Sequence, residues 1–330
     1  MNLTISGDFG YHERMAVIDF HTHVFPIEPE RYFPGKTRDI GKFWARSVSR
    51  AIHEVQPWLR FLPPIGKRLL DEVGLVAPAP LLLFESSVED LRQAMREAHV
   101  DRVVLIAQPQ TIPNEFVLGL AAQSDRIVAA VNVSPKEPDA RGKLTEYYER
   151  GARILKIHPS FDGLNAESAH YLELLETAEP LGMPVILHTG CFHSSMIYKD
   201  PLASSAELFE SWFKDRPGTT FVLAHMNYHD PEVAMDLAEK YPNVHLDTSW
   251  QPAETITEAV RRVGAERVLF GSDWPLVGDN MRIGVKRIRE AVASEFLTEE
   301  EAALVLGGNA ERILEQTEKR RAGRGGEKRA

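Results

Sequence analysis

Short apolar runs recur along the chain at strand length, each followed by a segment whose apolar positions fall at helical intervals. The runs are A-V-I-D-F-H (16–21), R-V-V-L-I-A (102–107), I-V-A-A-V-N-V (127–133), R-I-L-K-I-H (153–158), P-V-I-L-H-T (184–189), T-F-V-L-A-H (220–225), N-V-H-L-D-T (243–248) and R-V-L-F-G-S-D (267–273). Their near-continuous hydrophobicity, with little alternation, is the pattern of parallel strands covered on both faces. Between them, S-V-E-D-L-R-Q-A-M-R-E-A (87–98) repeats Val88, Leu91 and Met95 beneath charged neighbours, and L-T-E-Y-Y-E-R, A-E-L-F-E-S-W-F and P-E-V-A-M-D-L-A-E-K have similar spacing. Ser87 and Asp230 stand where helix caps are expected, the latter before Pro231 at the first helical position. Eight strands alternating with helices, joined by right-handed crossovers, predict an α/β (β/α)8 TIM barrel; a doubly wound open sheet is the competing architecture.

Two segments break this rhythm. Residues 26–86 follow the first strand and are rich in Pro and aromatic side chains, as in F-P-I-E-P-E-R-Y-F-P-G-K. A structureless loop of that length is unusual in a compact domain, so the segment is predicted to hold short helices. Its position after the first strand places it over the mouth of the barrel, as a lid or a subunit contact. Its aromatics Phe33, Phe43, Trp44 and Trp58 are expected to form a small core of its own. Residues 315–330 are expected to be a disordered basic tail, with six basic and two acidic side chains in Q-T-E-K-R-R-A-G-R-G-G-E-K-R-A. Residues 1–314 then make one barrel domain.

Composition narrows the function. A chain of 330 residues, 43% hydrophobic and 26% charged, is long enough to bury a large core. Its formal charge of −10 argues against a nucleic-acid footprint and in favour of a small-molecule substrate. Cys191 is the one cysteine, so no intrachain disulfide forms and a reducing compartment suits the chain. The first residues show no basic region before an apolar core, and no apolar run is long enough to span a bilayer; the expected location is the cytoplasm, without membrane contact. The insertion allows a homodimer.

Candidate chemistry gathers at the strand ends. In a barrel of this type the active site is built at the C-terminal ends of the strands. There the first strand delivers His21 and His23, which alternation places on one side together with Asp19. The fourth ends in Lys156 and His158, the fifth in His188, the sixth in His225, the seventh in Asp247 and the eighth in Asp273. Alone, an H-x-H pair on a strand could equally be surface or packing residues; so many titratable groups on one rim point to a site. Neutral imidazole and carboxylate are what Zn²⁺ binds, and a zinc-held water can reach a pKa of about 7, which makes hydrolysis the natural chemistry.

D-F-H-T-H after the first strand, histidines ending the fifth and sixth strands, and G-S-D-W-P ending the eighth resemble the amidohydrolase superfamily. More closely they are similar to its amidohydrolase-related branch, which includes aminocarboxymuconate semialdehyde decarboxylase and related metal-dependent hydrolases. L-G-G-N-A-E-R-I-L (306–314) is similar to that branch's C-terminal helix, so the match runs from residue 16 to residue 314. The resemblance implies that His21, His23, His188 and Asp273 hold the metal. It implies that Asp273 also shuttles the proton of the attacking water, and that His225 polarises substrate or water. Asp19, Thr189 and Asp247 would orient the imidazoles.

Lys156 leaves the metal count open. V/I-L-K-I-H-P is similar to the segment of dihydroorotase-like relatives that carries a carboxylated lysine between two metals. If Lys156 is carboxylated it becomes a ligand and the site holds two ions; if it remains an ammonium, Lys156 and His158 contact a substrate carboxylate and one Zn²⁺ is expected, with Mn²⁺ as the alternative ion. Trp274 and His193 are expected to line the substrate pocket, and His229 to reach it. Cys191 is expected to be a packing residue, and His12, His53, His99 and His170 to be ordinary. The expected function is a zinc-dependent hydrolase acting on a small carboxylated amide, ester or lactone. The alternative is a metal-dependent non-oxidative decarboxylase.

Overall fold

The computed structural model describes residues 15–59, 61–63, 65–67, 69, 79–190, 198–276 and 278–327. Each apolar run becomes a strand: β1 Ile18–Thr22, β2 Arg102–Ile106, β3 Ile127–Val131, β4 Ile154–Ile157, β5 Val185–His188, β6 Phe221–Ala224, β7 Val244–Asp247 and β8 Val268–Leu269. They pair in parallel and in chain order. The ring closes where the segment after β8 meets β1: Phe20 N donates to Phe270 O at 2.8 Å, Asp273 N to His21 O at 2.8 Å and His23 N to Trp274 O at 2.6 Å. The fold is a (β/α)8 TIM barrel. β8 is shorter than the apolar run to Asp273 because Phe270 N turns to Val305 O, at 2.8 Å, and leaves the ladder.

The longer helices are α1 Lys36–Leu59, α2 Val88–Ala98, α3 Asn114–Ala121, α4 Ala140–Glu149, α5 Ala169–Leu181, α6 Glu210–Asp215, α7 Pro231–Lys240, α8 Ala253–Val263, α9 Asn280–Ala293 and α10 Asn309–Glu327. α2 begins in a capping box, with the Ser87 hydroxyl accepting from Asp90 N and the Asp90 carboxylate accepting from Ser87 N. α7 starts at Pro231, but the Asp230 side chain makes no capping hydrogen bond. Among the described residues no helix is long and apolar enough to cross a membrane.

Two apolar layers result. One lies between the strands and the helices. The other fills the barrel, where Ile18, Phe20, Val104, Ile106, Ile154, Ile186, Val222 and Leu269 meet Ala310, Ile313 and Leu314 of α10. That helix closes the end of the barrel opposite the site. Gly307, just before it, must be glycine: a Cβ there would lie 1.7 Å from Ala16 O. Of the expected disordered tail, residues 315–327 continue α10, which runs on to Glu327, and 328–330 lie outside the described residues. Its helix continues because Thr317 is buried, with its hydroxyl donating to Ile313 O, and because Glu318 pairs with Arg153 and Lys319 with Glu315.

Among the described residues the insertion holds short helical turns at Pro29–Arg31 and Ala79–Leu83, as expected, and also one long helix, α1. α1 is tied to the barrel by ion pairs: Arg38 gives two hydrogen bonds to Asp90, at 2.8 and 2.7 Å, Lys42 reaches Asp90 at 2.6 Å, and Arg46 reaches Glu85 and Glu97. Asp90 and Glu85 are almost fully buried, so these cations fix which face of α1 turns inward. Gly41, Ala45, Ser49, His53 and Gln56 face the body. Phe43, Trp44 and Trp58, expected as a private core, are exposed as a consequence. Phe33 packs on Phe84, centroids 4.4 Å apart, while Phe43 and Trp44 meet each other edge-on at 5.9 Å and Trp58 meets Phe61 at 6.3 Å, all four of these on the open side.

Candidate active site

The rim of the barrel is built by alternation and by departures from it. Lys156 and His188 each follow an interior residue, Ile154 and Ile186, at a spacing of two, and so project into the same lumen one step nearer the mouth. β1 does not keep strict alternation. Ile18 and Phe20 face the interior, and the pairing with β2 shifts by one residue between Asp19 and Thr22, which lets His21 and His23 join the interior set. Asp19 therefore does not share their position; its Oδ1 accepts from His21 N at 3.1 Å and Ser272 N at 3.0 Å, tying together the chain segments that carry His21 and Asp273. Its carboxyl is pushed up to about 8 by burial, offset in part by a hydrogen bond with Ser272. His225 directly follows the inward Ala224, and its left-handed backbone, φ 62°, re-aims it. Trp250 and Asp273, at φ 64° and 60°, share that conformation, so three of the loops that face the site depart from ordinary backbone.

The donor and acceptor geometry fixes the tautomers. His21 Nδ1 lies 2.6 Å from Asp247 Oδ2 and His23 Nδ1 lies 3.1 Å from Ile106 O; carboxylate and carbonyl only accept, so both Nδ1 atoms carry the proton. In the neutral ring each Nε2 then keeps its lone pair. These lone pairs converge on Asp273 Oδ1, at 3.4 Å from His21 and 3.2 Å from His23. Among the described residues Asp273 Oδ1 has no hydrogen-bond donor, while Oδ2 accepts from Trp250 Nε1 at 2.7 Å. Three buried acceptors facing one point, one of them anionic, are the arrangement a divalent cation stabilises. A second set, His21, His225 and Asp247, is also close together, but in it His21 Nδ1 and Asp247 Oδ2 are already joined to each other by a hydrogen bond.

Asp247 governs both histidines. Besides accepting from His21, it accepts a short hydrogen bond from the Ser249 hydroxyl through Oδ1, and Ser249 Oγ in turn accepts from His225 Nδ1 at 2.7 Å. The proton of His225 is thereby placed on Nδ1, leaving its Nε2 as an acceptor. Burial raises the Asp247 carboxyl but His21 outweighs it, so the group is held below the usual carboxylate range. Gly271 makes room for this pair, since a Cβ there would lie 2.8 Å from Asp247 Oδ1 and 2.9 Å from His21 Cβ.

The electrostatics suit neutral imidazole beside an anion. Burial pushes His23, His158 and His188 down from the ordinary histidine value and His225 down to about 3. Burial opposes ionisation of Asp273, and positive charge on the surrounding rings, His21 first and then His23 and His225, outweighs it and holds the carboxyl far below its usual range in the metal-free site, the part a divalent cation would take when bound. Lys156 Nζ has no hydrogen-bond partner among the described residues and is pushed down to about 8 by burial, offset by Asp273 and Asp247.

The other candidates fall as follows. His188 stacks on His158, centroids 3.8 Å apart, and meets His225 edge-on at 5.0 Å; it belongs to the same nest of rings but lies outside the two close ligand sets. The Thr189 hydroxyl donates to Ala224 O at 2.6 Å and accepts from Asn227 N, so it braces the turn after β6 rather than an imidazole. Trp274, expected in the pocket, packs instead in the layer between strands and helices; the indole at the Asp273 carboxylate is that of Trp250. His229 lines a groove of about 600 Å³ with Gln56, Tyr228 and Gln251, between α1 and the loops after β6 and β7. His193 and Cys191 lie outside the described residues. Sequence reading missed Ser249 and Trp250; D-T-S-W directly after β7 was the available signal, two residues and three residues beyond Asp247.

Residues 18–316 match the amidohydrolase family model. The chain belongs to the amidohydrolase family. It is therefore an enzyme, of a metal-dependent family, and its resemblance to the amidohydrolase-related branch holds. No curated protein sequence matches it. Among solved structures, an uncharacterized TIM-barrel protein from Bordetella bronchiseptica is 20% identical with a TM-score of 0.64, covering 92% of this amidohydrolase and 99% of that chain. 5-Carboxyvanillate decarboxylase from Sphingomonas paucimobilis is 16% identical, TM-score 0.62, over 91% and 99%. A zinc-bound amidohydrolase from Burkholderia multivorans is 15% identical, TM-score 0.61, again over 91% and 99%. At these identities the likeness is one of fold.

His53, on α1, links the insertion to the centre. Its ring stacks on Trp250, centroids 5.6 Å apart, and its nitrogens face Asn280 Oδ1 at 2.9 Å and Gln56 Oε1 at 3.2 Å. Pro57 removes the amide that would bond His53 O within the helix, and Arg287 Nη2 takes its place at 3.1 Å. Burial, then Arg287, pushes His53 down to about 4. Between pH 6.5 and 4 the unfolded chain therefore binds a proton that the folded chain refuses, and stability falls as pH falls. For the metal-free enzyme this site is expected to cost about 2 kcal/mol between pH 7.5 and 5. Urea titrations of parent and His53→Gln at both pH values check it: the drop should shrink by that amount in the variant, and an unchanged drop would contradict it.

Proposed function

We propose that this amidohydrolase is a zinc-dependent hydrolase acting on a small carboxylated amide, ester or lactone. The observation that carries the reading is the convergence of His21 Nε2, His23 Nε2 and the donor-less Asp273 Oδ1 on one buried point. His21, His23 and Asp273 would hold one Zn²⁺, with His188 completing the set from its place in the nest of rings. When bound, such an ion supplies a Lewis acid and acidifies water to a pKa of about 7.

The chain's own residues supply the rest. Asp273, a carboxylate at the point where the cation would sit, accepts the proton of the attacking water and returns it to the leaving group. His225, neutral and protonated on Nδ1, offers Nε2 as an acceptor that orients the water, rather than as a donor to a carbonyl. The buried ammonium of Lys156 binds a substrate carboxylate, with His158 beside it; that anion would stabilise the cation which burial otherwise disfavours. Retained as an ammonium, Lys156 is consistent with one metal rather than two.

A second reading, non-oxidative decarboxylation, uses the same residues. It is favoured by the burial of the whole nest, since His21, His23, Lys156, His188, His225 and Asp273 are each more than nine-tenths buried, and loss of CO₂ consumes no water. A panel of small carboxylated amides, esters, lactones and free acids, turned over in ¹⁸O-labelled water, separates the two. The proposal expects ¹⁸O in a product carboxylate and no CO₂; CO₂ release with no label incorporated would overturn it.

A further inference from the structure

We propose that the outward face of α1 is a two-fold contact with a second copy of this chain, crossing antiparallel at Ala51. α1 is amphipathic in the sense opposite to that of a monomer's surface helix: its small and polar side is buried and its apolar side is open. Ten of the fourteen exposed large apolar side chains among the described residues lie between Tyr32 and Leu83, so the exposure is concentrated on the insertion. On α1 itself Ile40, Phe43, Trp44 and Trp58 are 59–70% exposed and Val55 48%. With roughly 150–250 Å² per aromatic side chain, Phe43, Trp44 and Trp58 alone leave on the order of 400 Å² open, about half of the ~800 Å² that each partner contributes to a standard interface, and Ile40 and Val55 extend it.

The stripe also has the symmetry of a self-contact. Trp44, Ser47, Ala51, Val55 and Trp58 follow one another at steps of 3, 4, 4 and 3 residues, a spacing that reads the same in either direction about Ala51. Two such helices related by a two-fold axis at Ala51 set Trp44 of each copy against Trp58 of the other and Ser47 against Val55. The smallest side chain stands where the helices cross, which permits close approach. Ser47 costs little to cover because its hydroxyl already donates to Phe43 O at 2.7 Å. A lipid surface fits less well: three of the five basic residues of α1, Arg38, Lys42 and Arg46, turn to Asp90, Glu85 and Glu97 on the body, the exposed Lys36 and Arg50 are matched by the exposed Asp39 and Glu54, and the chain's net charge is −10.

Ala51 is exposed, so substitutions there test the contact without disturbing the barrel. Sedimentation velocity at about 50 μM is expected to show the full chain as a dimer. On mild oxidation Ala51→Cys should form a dithiothreitol-reversible covalent dimer in most chains, because a residue on the axis meets its own copy within disulfide reach; the parent, with Cys191 alone, is the control. Ala51→Arg should weaken association by at least about 100-fold. A parent that sediments as a monomer at that concentration overturns the proposal, as does a dimer in which Ala51→Cys fails to cross-link. Should Ala51→Arg fold poorly, the near-isosteric cysteine still decides.

Discussion

Asp273→Asn is expected to lower kcat by about 10³-fold or more while leaving the barrel folded. The substitution keeps the shape of the side chain, and the amide oxygen can still accept from Trp250 Nε1, the bond that holds Oδ2 at 2.7 Å. It removes the anion at the point where His21 and His23 direct their lone pairs, and with it the base that takes the proton of water. Circular dichroism should be unchanged, and activity on the best substrate of the panel should fall without a matching rise in KM. A variant with kcat within tenfold of the parent would show that proton transfer and metal binding do not depend on this carboxylate.

Asp247→Asn is expected to weaken zinc binding by about 10–100-fold although Asp247 does not join the ion's proposed ligands. One carboxylate now accepts from His21 Nδ1 and, through Ser249, dictates the proton on His225. An amide offers one acceptor and two donors, so it can satisfy one of these partners only by presenting N–H to the other. Where N–H meets His21 Nδ1, the proton moves to Nε2 and blocks the lone pair needed at Asp273; where it meets Ser249, the same inversion reaches His225. Competition against a chelator measures the first effect, and the pH profile of kcat the second. Parent-like affinity together with a parent-like profile would contradict the tautomer argument.

Much of this was legible in the sequence, for a reason that also marks its limit. Strands covered on both faces must be apolar nearly throughout, so all eight announced themselves as runs, and the polar residues interrupting their C-terminal ends stood out as site residues. A period-two rule could not show that β1 slips by one residue between Asp19 and Thr22, and it grouped Asp19 with His21 and His23. Nor could it give the left-handed turns that aim His225 and Trp250. Trp250 hid as an apolar residue in a turn, whereas Trp274, adjacent to the key carboxylate in sequence, is carried away from it into the outer layer. The insertion was misjudged because the face of α1 is chosen by Asp90 and Glu85, two buried carboxylates whose partners are some 40 to 50 residues away, not by its own apolar positions. The tail was judged by composition, while Thr317 and Glu318 find partners on the body, Gly182 O and Arg153.

The central claim is that His21, His23 and Asp273 form the core of a single divalent-metal site. Metal content per chain, measured after zinc loading and removal of loosely held ions, tests it most directly. The expected result is one zinc ion per chain in the parent and strongly reduced occupancy in Asp273→Asn. No retained ion in the parent would contradict the site, and two ions per chain would contradict the assignment of Lys156 as a substrate-binding ammonium.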